Sequence, residues 1–286
     1  MLEVAMKFGI IVDSGCDLKE LEGQAKFSID FTRAPLKLDI GEKEFVDDFT
    51  LDTRSFMEEM HAFQGRTGSA APSTDAWHKA FEKSDDMFVV TITGGLSGSF
   101  ASAEVAAKMY LEEHPNKRIH VIDSLSASSE ITLIVRKLCE FIDQQLEFDE
   151  IVAKINQYTK QTKLLFILEN LDNMIKNGRA SRLQGGLAGL LGIKILGCAS
   201  EKGTLEVMHK CRGKKTAYDK AIQAMLDVGY QGGDVILTHC FNPENAQYMK
   251  DKILEKFPQS RVNLMETSGL CSYYAEQGGI LIGFEI

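Results

Sequence analysis

Met87-Phe88-Val89-Val90-Thr91-Ile92-Thr93-Gly94-Gly95-Leu96-Ser97-Gly98-Ser99-Phe100 runs from a strand pattern into a helix pattern without a break. Its first six residues lack apolar–polar alternation, as expected of a strand covered on both faces in a parallel sheet. After the glycines and hydroxyls of 93–99, Phe100, Ala103, Ala107 and Tyr110 share one helical face. Two more apolar runs behave alike. Phe8-Gly9-Ile10-Ile11-Val12 stops at Asp13-Ser14, and Ile119-His120-Val121-Ile122 stops at Asp123-Ser124. Helical stripes fall between them: Phe56, Met60 and Phe63, then Trp77, Ala80 and Phe81. Strand–helix alternation of this kind predicts an α/β domain on a parallel sheet over 1–160.

Beyond it the pattern changes. Helices are expected at 128–146 and from Phe148 to about Thr159, with a domain boundary near 160–163. An apolar run at 164–168 leads to a glycine-rich stretch at 185–192. The segments 193–199 and 205–209 flank Glu201-Lys202-Gly203-Thr204, which reads as a hairpin turn. A helix over 215–228, a strand over 235–238, a helix opening at Pro243 behind Asn242, and strands near 261–265 and 280–284 complete the chain. The second half, 161–286, is therefore expected to be α+β with an antiparallel hairpin, giving a two-domain α/β protein.

The chain has 286 residues, 44% hydrophobic and 26% charged, with a net charge of −9. That is ordinary globular composition. No apolar run approaches the ~18 residues of a membrane span, and no signal peptide opens the sequence, so a cytoplasmic protein is expected. Cys16, Cys139, Cys198, Cys211, Cys240 and Cys271 are scattered, and the six histidines form no metal-spaced pair. They read as free thiols in a reducing compartment, and no metal or other cofactor is expected. The charge is uneven: residues 1–160 carry 17 basic and 28 acidic side chains (−11), residues 161–286 carry 15 and 13 (+2). Nine basic residues, Lys176, Arg179, Arg182, Lys194, Lys202, Lys210, Arg212, Lys214 and Lys215, crowd 176–215. An acidic chain disfavours nonspecific nucleic-acid binding. The basic segment could face an acidic partner or be a solvated face.

Ligands of parallel α/β sheets collect at the carboxyl ends of strands, which points to 93–99. Its glycines allow close approach, and the following helix offers N–H groups to a carboxylate or phosphate oxygen, with Ser97 and Ser99 as neutral donors. The same serines could simply cap the helix. Gly95-Leu96-Ser97-Gly98-Ser99 lacks the final glycine of a nucleophile elbow, and no nucleotide-binding glycine motif occurs. Ser97 thus reads as a binding hydroxyl. In Thr67-Gly68-Ser69-Ala70-Ala71-Pro72-Ser73-Thr74, a second hydroxyl loop, Ser73 is the natural cap of the Trp77 helix. Ser69 is free to reach a ligand.

These residues resemble a known family. Asp13-Ser14-Gly15-Cys16-Asp17-Leu18, Ala34-Pro35-Leu36, Phe45-Val46-Asp47-Asp48, Ser69-Ala70-Ala71-Pro72-Ser73, Leu96-Ser97-Gly98-Ser99-Phe100-Ala101-Ser102, Val121-Ile122-Asp123-Ser124, Lys176-Asn177-Gly178-Arg179 and Cys211-Arg212-Gly213-Lys214-Lys215 are similar, in order, to the motifs of the DegV family. The resemblance implies a non-catalytic carrier that holds one long-chain fatty acid, its headgroup in the first domain and its chain enclosed with help from the second. It also implies a separate, ATP-dependent fatty acid kinase to which the carboxylate is presented. Carried over, Ser69 and Ser97 would bind the carboxylate, with Thr93 and Ser99 as neighbours and Arg179 beside them. Arg212, Lys214 and Lys215 would form the partner surface of a monomer. One departure stands out: the family's histidine-containing motif near the C-terminus is replaced by Cys271-Ser272-Tyr273-Tyr274-Ala275-Glu276-Gln277-Gly278-Gly279. His239 is a possible substitute.

A buried acyl chain gains ~0.8 kcal/mol per methylene, and a desolvated carboxylate needs hydrogen bonds. Residues 164–168 and 187–196 could line such a site or serve only the core. The rival reading is an enzyme using the 93–99 loop as an anion cradle for a small phosphorylated or carboxylated substrate. It would need a general base that the sequence does not place.

Overall fold

The strand read at 87–92 is β6 (Ser84–Thr91), inside a four-stranded parallel sheet with β1 (Met6–Asp13), β2 (Ile29–Ala34) and β7 (Arg118–Asp123) in the order β2-β1-β6-β7. The computed structural model describes residues 6–23, 28–179 and 192–286. Neighbouring residues point to opposite faces, and both faces are covered. Ile11, Met87 and Val89 pack under α2 (Thr74–Phe81) and α3 (Ser99–Glu113) with Trp77, Phe81, Ala103 and Tyr110. Phe8, Ile10, Phe88 and Val90 face a second cluster on the other side.

That second cluster contains α4 (Ser129–Asp143) and α5 (Phe148–Tyr158) and continues into a six-stranded sheet. The larger sheet is ordered β10-β9-β8-β13-β11-β12 and comprises β8 (Thr162–Leu168), β9 (Ile193–Ala199), β10 (Leu205–Arg212), β11 (Asp234–His239), β12 (Arg261–Glu266) and β13 (Ile280–Glu285). Only β11 and β12 pair in parallel. Residues 201–204 turn the antiparallel β9–β10 hairpin, as expected. Leu164, Phe166 and Leu168 point toward α4 and α5, whereas Leu165 and Ile167 face α7 (Lys214–Asp227) and α8 (Pro243–Lys256). Five layers result: helices, parallel sheet, α4 and α5, mixed sheet, helices. Because α4 packs on both sheets, Ile131 to Val135 are all buried in succession, as is Leu138, and the first solvent-reaching side chains after them are Arg136 and Lys137. At Gly283 a Cβ would lie 2.6 Å from the Glu130 amide nitrogen, so only glycine admits the start of α4 so close to β13.

One group of elements is not disclosed by the sequence pattern. Between β2 and α2 lie β3 (Lys37–Ile40), β4 (Lys43–Val46), α1 (Thr53–Ala62) and β5 (Thr67–Ala70), and the three strands form a small antiparallel sheet, β4-β3-β5. Ser69 therefore sits on a strand, not in a loop. Four-residue strands are too short to establish an alternation, although Gly41 (φ +62°) opens the tight β3–β4 turn. Phe63 lies just past α1 and is exposed, outside the core face expected for it. Of the glycine-rich stretch, residues 185–191 lie outside the described residues, as does Arg182.

Candidate ligand-binding site

The 92–98 loop is organised from beneath. Asp13, at the end of β1, accepts hydrogen bonds from Gly15 N (2.8 Å), Ile92 N (2.9 Å) and the Ser99 hydroxyl. Its complete burial raises the carboxyl to about 6 despite those bonds. Asp123, at the end of β7, accepts from Gly94 N and Leu125 N at 3.1 and 3.0 Å. The loop's amides are largely committed: Gly95 N donates to Thr93 Oγ1 (3.0 Å), Leu96 N and Ser97 N to Thr93 O, and Ser99 N to Ser97 Oγ (3.2 Å). This differs from an open cradle of N–H groups. Side chains, more than backbone, are left to meet a ligand.

Above the loop lies a cavity enclosing about 820 Å³ free of protein atoms, part of it open to solvent. Leu36, Ile92, Leu164, Phe166, Leu168, Leu205, Leu270 and Leu281 supply much of its apolar wall. Ser69, Ser97, Arg179 and Tyr274 supply polar groups on the same wall. The two serine segments are neighbours: Ser102 Oγ donates to Pro72 O at 2.7 Å, and a Cβ on Gly98 would lie 3.9 Å from that of Ala71. Ser69 Oγ and the Tyr274 hydroxyl are 2.8 Å apart. Arg179 Nη1 donates to Asn177 O (2.5 Å), and its Nε reaches Leu96 O (3.5 Å).

Thr93 and Ser99 lie elsewhere. Both are buried beneath the loop and absent from the cavity wall. Ser99 is bound to Asp13, and Thr93 is covered by the tip of the β9–β10 hairpin, where Gly203 (φ +68°) would bring a Cβ within 1.9 Å of Thr93 Oγ1. Of the apolar segments expected to line a site, Leu164, Phe166 and Leu168 do so, whereas Leu196 is buried on the opposite face. His239 is also off the wall; it is buried at the end of β11, and that burial lowers its pKa. Arg212, the last residue of β10, and Lys214 and Lys215, the first two of α7, are exposed. Seven strand steps at ~3.4 Å each, shortened by the bulge between Val207 and His209, put Arg212 roughly 20 Å from Leu205 on the cavity wall.

Tyr274 is not singled out by sequence reasoning. It belongs to the short helix α9 (Gly269–Ala275), whose first turn is held by two buried aspartates from the first half of the chain. Asp47 accepts from Gly269 N (3.1 Å) and Leu270 N (2.7 Å), and Asp17 from Ser268 N (2.7 Å) and Ser268 Oγ (2.9 Å). Burial raises the Asp47 carboxyl to about 6 and that of Asp17 in the same direction. Gly269 is required because a Cβ there would lie 2.6 Å from Asp47 Oδ1. The adjacent tyrosines, standing where a family histidine was expected, are the available signal.

A family model described as "Uncharacterised protein, DegV family" matches residues 7–285. A DegV domain-containing protein of Streptococcus gordonii is 47% identical over 281 residues, covering 98% of this chain and 100% of that protein. Among solved structures, the Fatty Acid Kinase (Fak) B3 protein of Streptococcus pneumoniae, loaded with linoleic acid, is similar at a TM-score of 0.95 and 46% identity, over 98% of this chain and 100% of that one. A DegV family protein from Eubacterium eligens loaded with heptadecanoic acid is similar at a TM-score of 0.92 and 38% identity, over 97% and 99%. The motif order, the fold and these matches over nearly the whole length agree: the chain belongs to the DegV family.

Proposed function

We propose that this protein binds one long-chain fatty acid in the cavity above the 92–98 loop and presents its carboxylate to a separate fatty acid kinase. The observation that carries this is the grouping of Ser69, Ser97, Arg179 and Tyr274 on the wall of an otherwise largely apolar cavity. Each methylene buried there contributes ~0.8 kcal/mol. The desolvated carboxylate would be held by hydroxyls and one guanidinium. The likeness to proteins solved with linoleic and heptadecanoic acids supports the ligand class, and the Fak B3 relative supports the kinase partner. Arg212, Lys214 and Lys215, at the end of β10 and the start of α7, would then belong to the kinase-facing surface, too far from Leu205 to touch the headgroup. The commitment of the loop amides argues against the rival anion-cradle enzyme. Acid-loaded protein, ATP and a fatty acid kinase should together yield acyl phosphate. Equal phosphorylation of free fatty acid without this protein would contradict the carrier role.

A further inference from the structure

Tyr273 has a role that the cavity wall does not reveal. Its side chain is fully buried and is not part of that wall. The ring packs 4.8 Å from Tyr274 and 6.3 Å from Phe56, centroid to centroid, a place that a phenylalanine would fill equally well. Its hydroxyl is what needs explaining. It lies 2.7 Å from Thr67 Oγ1 and accepts a hydrogen bond from Asn177 Nδ2 at 2.8 Å.

Both partners lead to the site. Thr67 precedes Ser69 by two residues on β5, so the two side chains share one face of the strand. The adjacent tyrosines thus form two rungs to that face, Tyr273 to Thr67 and Tyr274 to Ser69. On the other side, the Asn177 carbonyl is the one that receives Arg179 Nη1, and Arg179 in turn reaches Leu96 O beside Ser97. Asn173, on the short helix α6 (Asp172–Lys176), reinforces the link: its Nδ2 donates to Tyr273 O (2.8 Å), and its carbonyl accepts from Asn177 Nδ2 (2.9 Å).

We propose that the Tyr273 hydroxyl is a positioning group for carboxylate recognition, fixing the Arg179 segment and the Ser69 strand relative to each other without touching the ligand. This rests on the fatty-acid reading above. The test compares two probes, linoleic acid and linoleyl alcohol, on delipidated wild-type and Tyr273→Phe proteins. Linoleic acid should bind the variant about tenfold more weakly, the scale of one lost charge-linked hydrogen bond, while linoleyl alcohol stays within about twofold. In an Arg179→Ala background the same substitution should cost the acid much less, because the group it positions is gone. An equal loss for acid and alcohol, unchanged binding of both, or full additivity with Arg179→Ala would each overturn the proposal. Wild-type protein that bound neither probe would overturn the fatty-acid reading itself, and the positioning role with it.

Discussion

Ser97 owes its legibility to its place in the chain. It stands in a glycine-rich strand-to-helix passage, and although its hydroxyl accepts from Ser99 N at the start of α3, it is also found on the cavity wall with Ser69 and Arg179. Ser97→Ala is expected to weaken fatty-acid binding about tenfold, as measured by titration of delipidated protein. Unchanged affinity would remove Ser97 from the headgroup. Ser99 and Thr93, equally eligible by spacing, are buried under the loop, because spacing does not tell which hydroxyl turns inward. Tyr274 could not be placed at all, since no sequence rule joins residue 274 to residue 69. The aspartates that end β1 and cap α9 make a further residue-scale expectation. Burial raises Asp13 and Asp47 to about 6, and Asp17, Glu130 and Glu276 in the same direction. The folded chain therefore keeps protons on these acids that the unfolded chain releases near 4. Their contribution favours folding at low pH and is lost as pH rises, through about 6 for Asp13 and Asp47; His239, lowered by burial, opposes it below its ordinary pKa near 6.5. The calorimetric midpoint should fall between pH 5 and pH 7.5, and a rise over that interval would contradict the assignment.

At the scale of elements, legibility tracks length and burial. β1 and β6 announce themselves as apolar runs because they are covered on both faces, the half-buried edge strand β7 does so by its apolar residues alone, and the β9–β10 hairpin as a glycine turn between two apolar segments. The short strands β3 to β5 carry too few residues for a pattern, so the placement of Ser69 on a strand emerges only from pairing with β3. The hairpin tip shows how one element governs another. Gly203→Ala would force a left-handed Cβ against Thr93 and lift the hairpin from the 92–98 loop. A loss of roughly 1–3 kcal/mol in denaturant unfolding is expected, together with weaker ligand binding through displaced Leu205. Wild-type stability and affinity in this variant would show that the docked tip is dispensable.

At the scale of the molecule, the strand–helix alternation announces the parallel sheet of the first half, and the glycine turn the antiparallel hairpin of the second, which belongs to a mixed six-stranded sheet. What it cannot convey is that α4 serves both, since periodicity shows which face is apolar but not how many sheets cover it. Ile134→Ala should cost about 2–4 kcal/mol by opening a cavity between the two sheets, read from denaturant unfolding. The charge asymmetry belongs here as well. With −11 on residues 1–160, long-range attraction is not expected to gather an anionic ligand, so in the proposed site local hydroxyls, Arg179 and apolar burial would have to retain it. The exposed Arg212, Lys214 and Lys215 instead suit a protein partner. Reversing all three to glutamate should weaken kinase-dependent turnover several-fold while leaving fatty-acid affinity unchanged. The most direct measurement of all is native mass spectrometry of the purified protein. One non-covalently bound long-chain fatty acid per chain is expected, released on denaturation. Repeated preparations free of lipid, and unable to take it up when offered, would contradict the account.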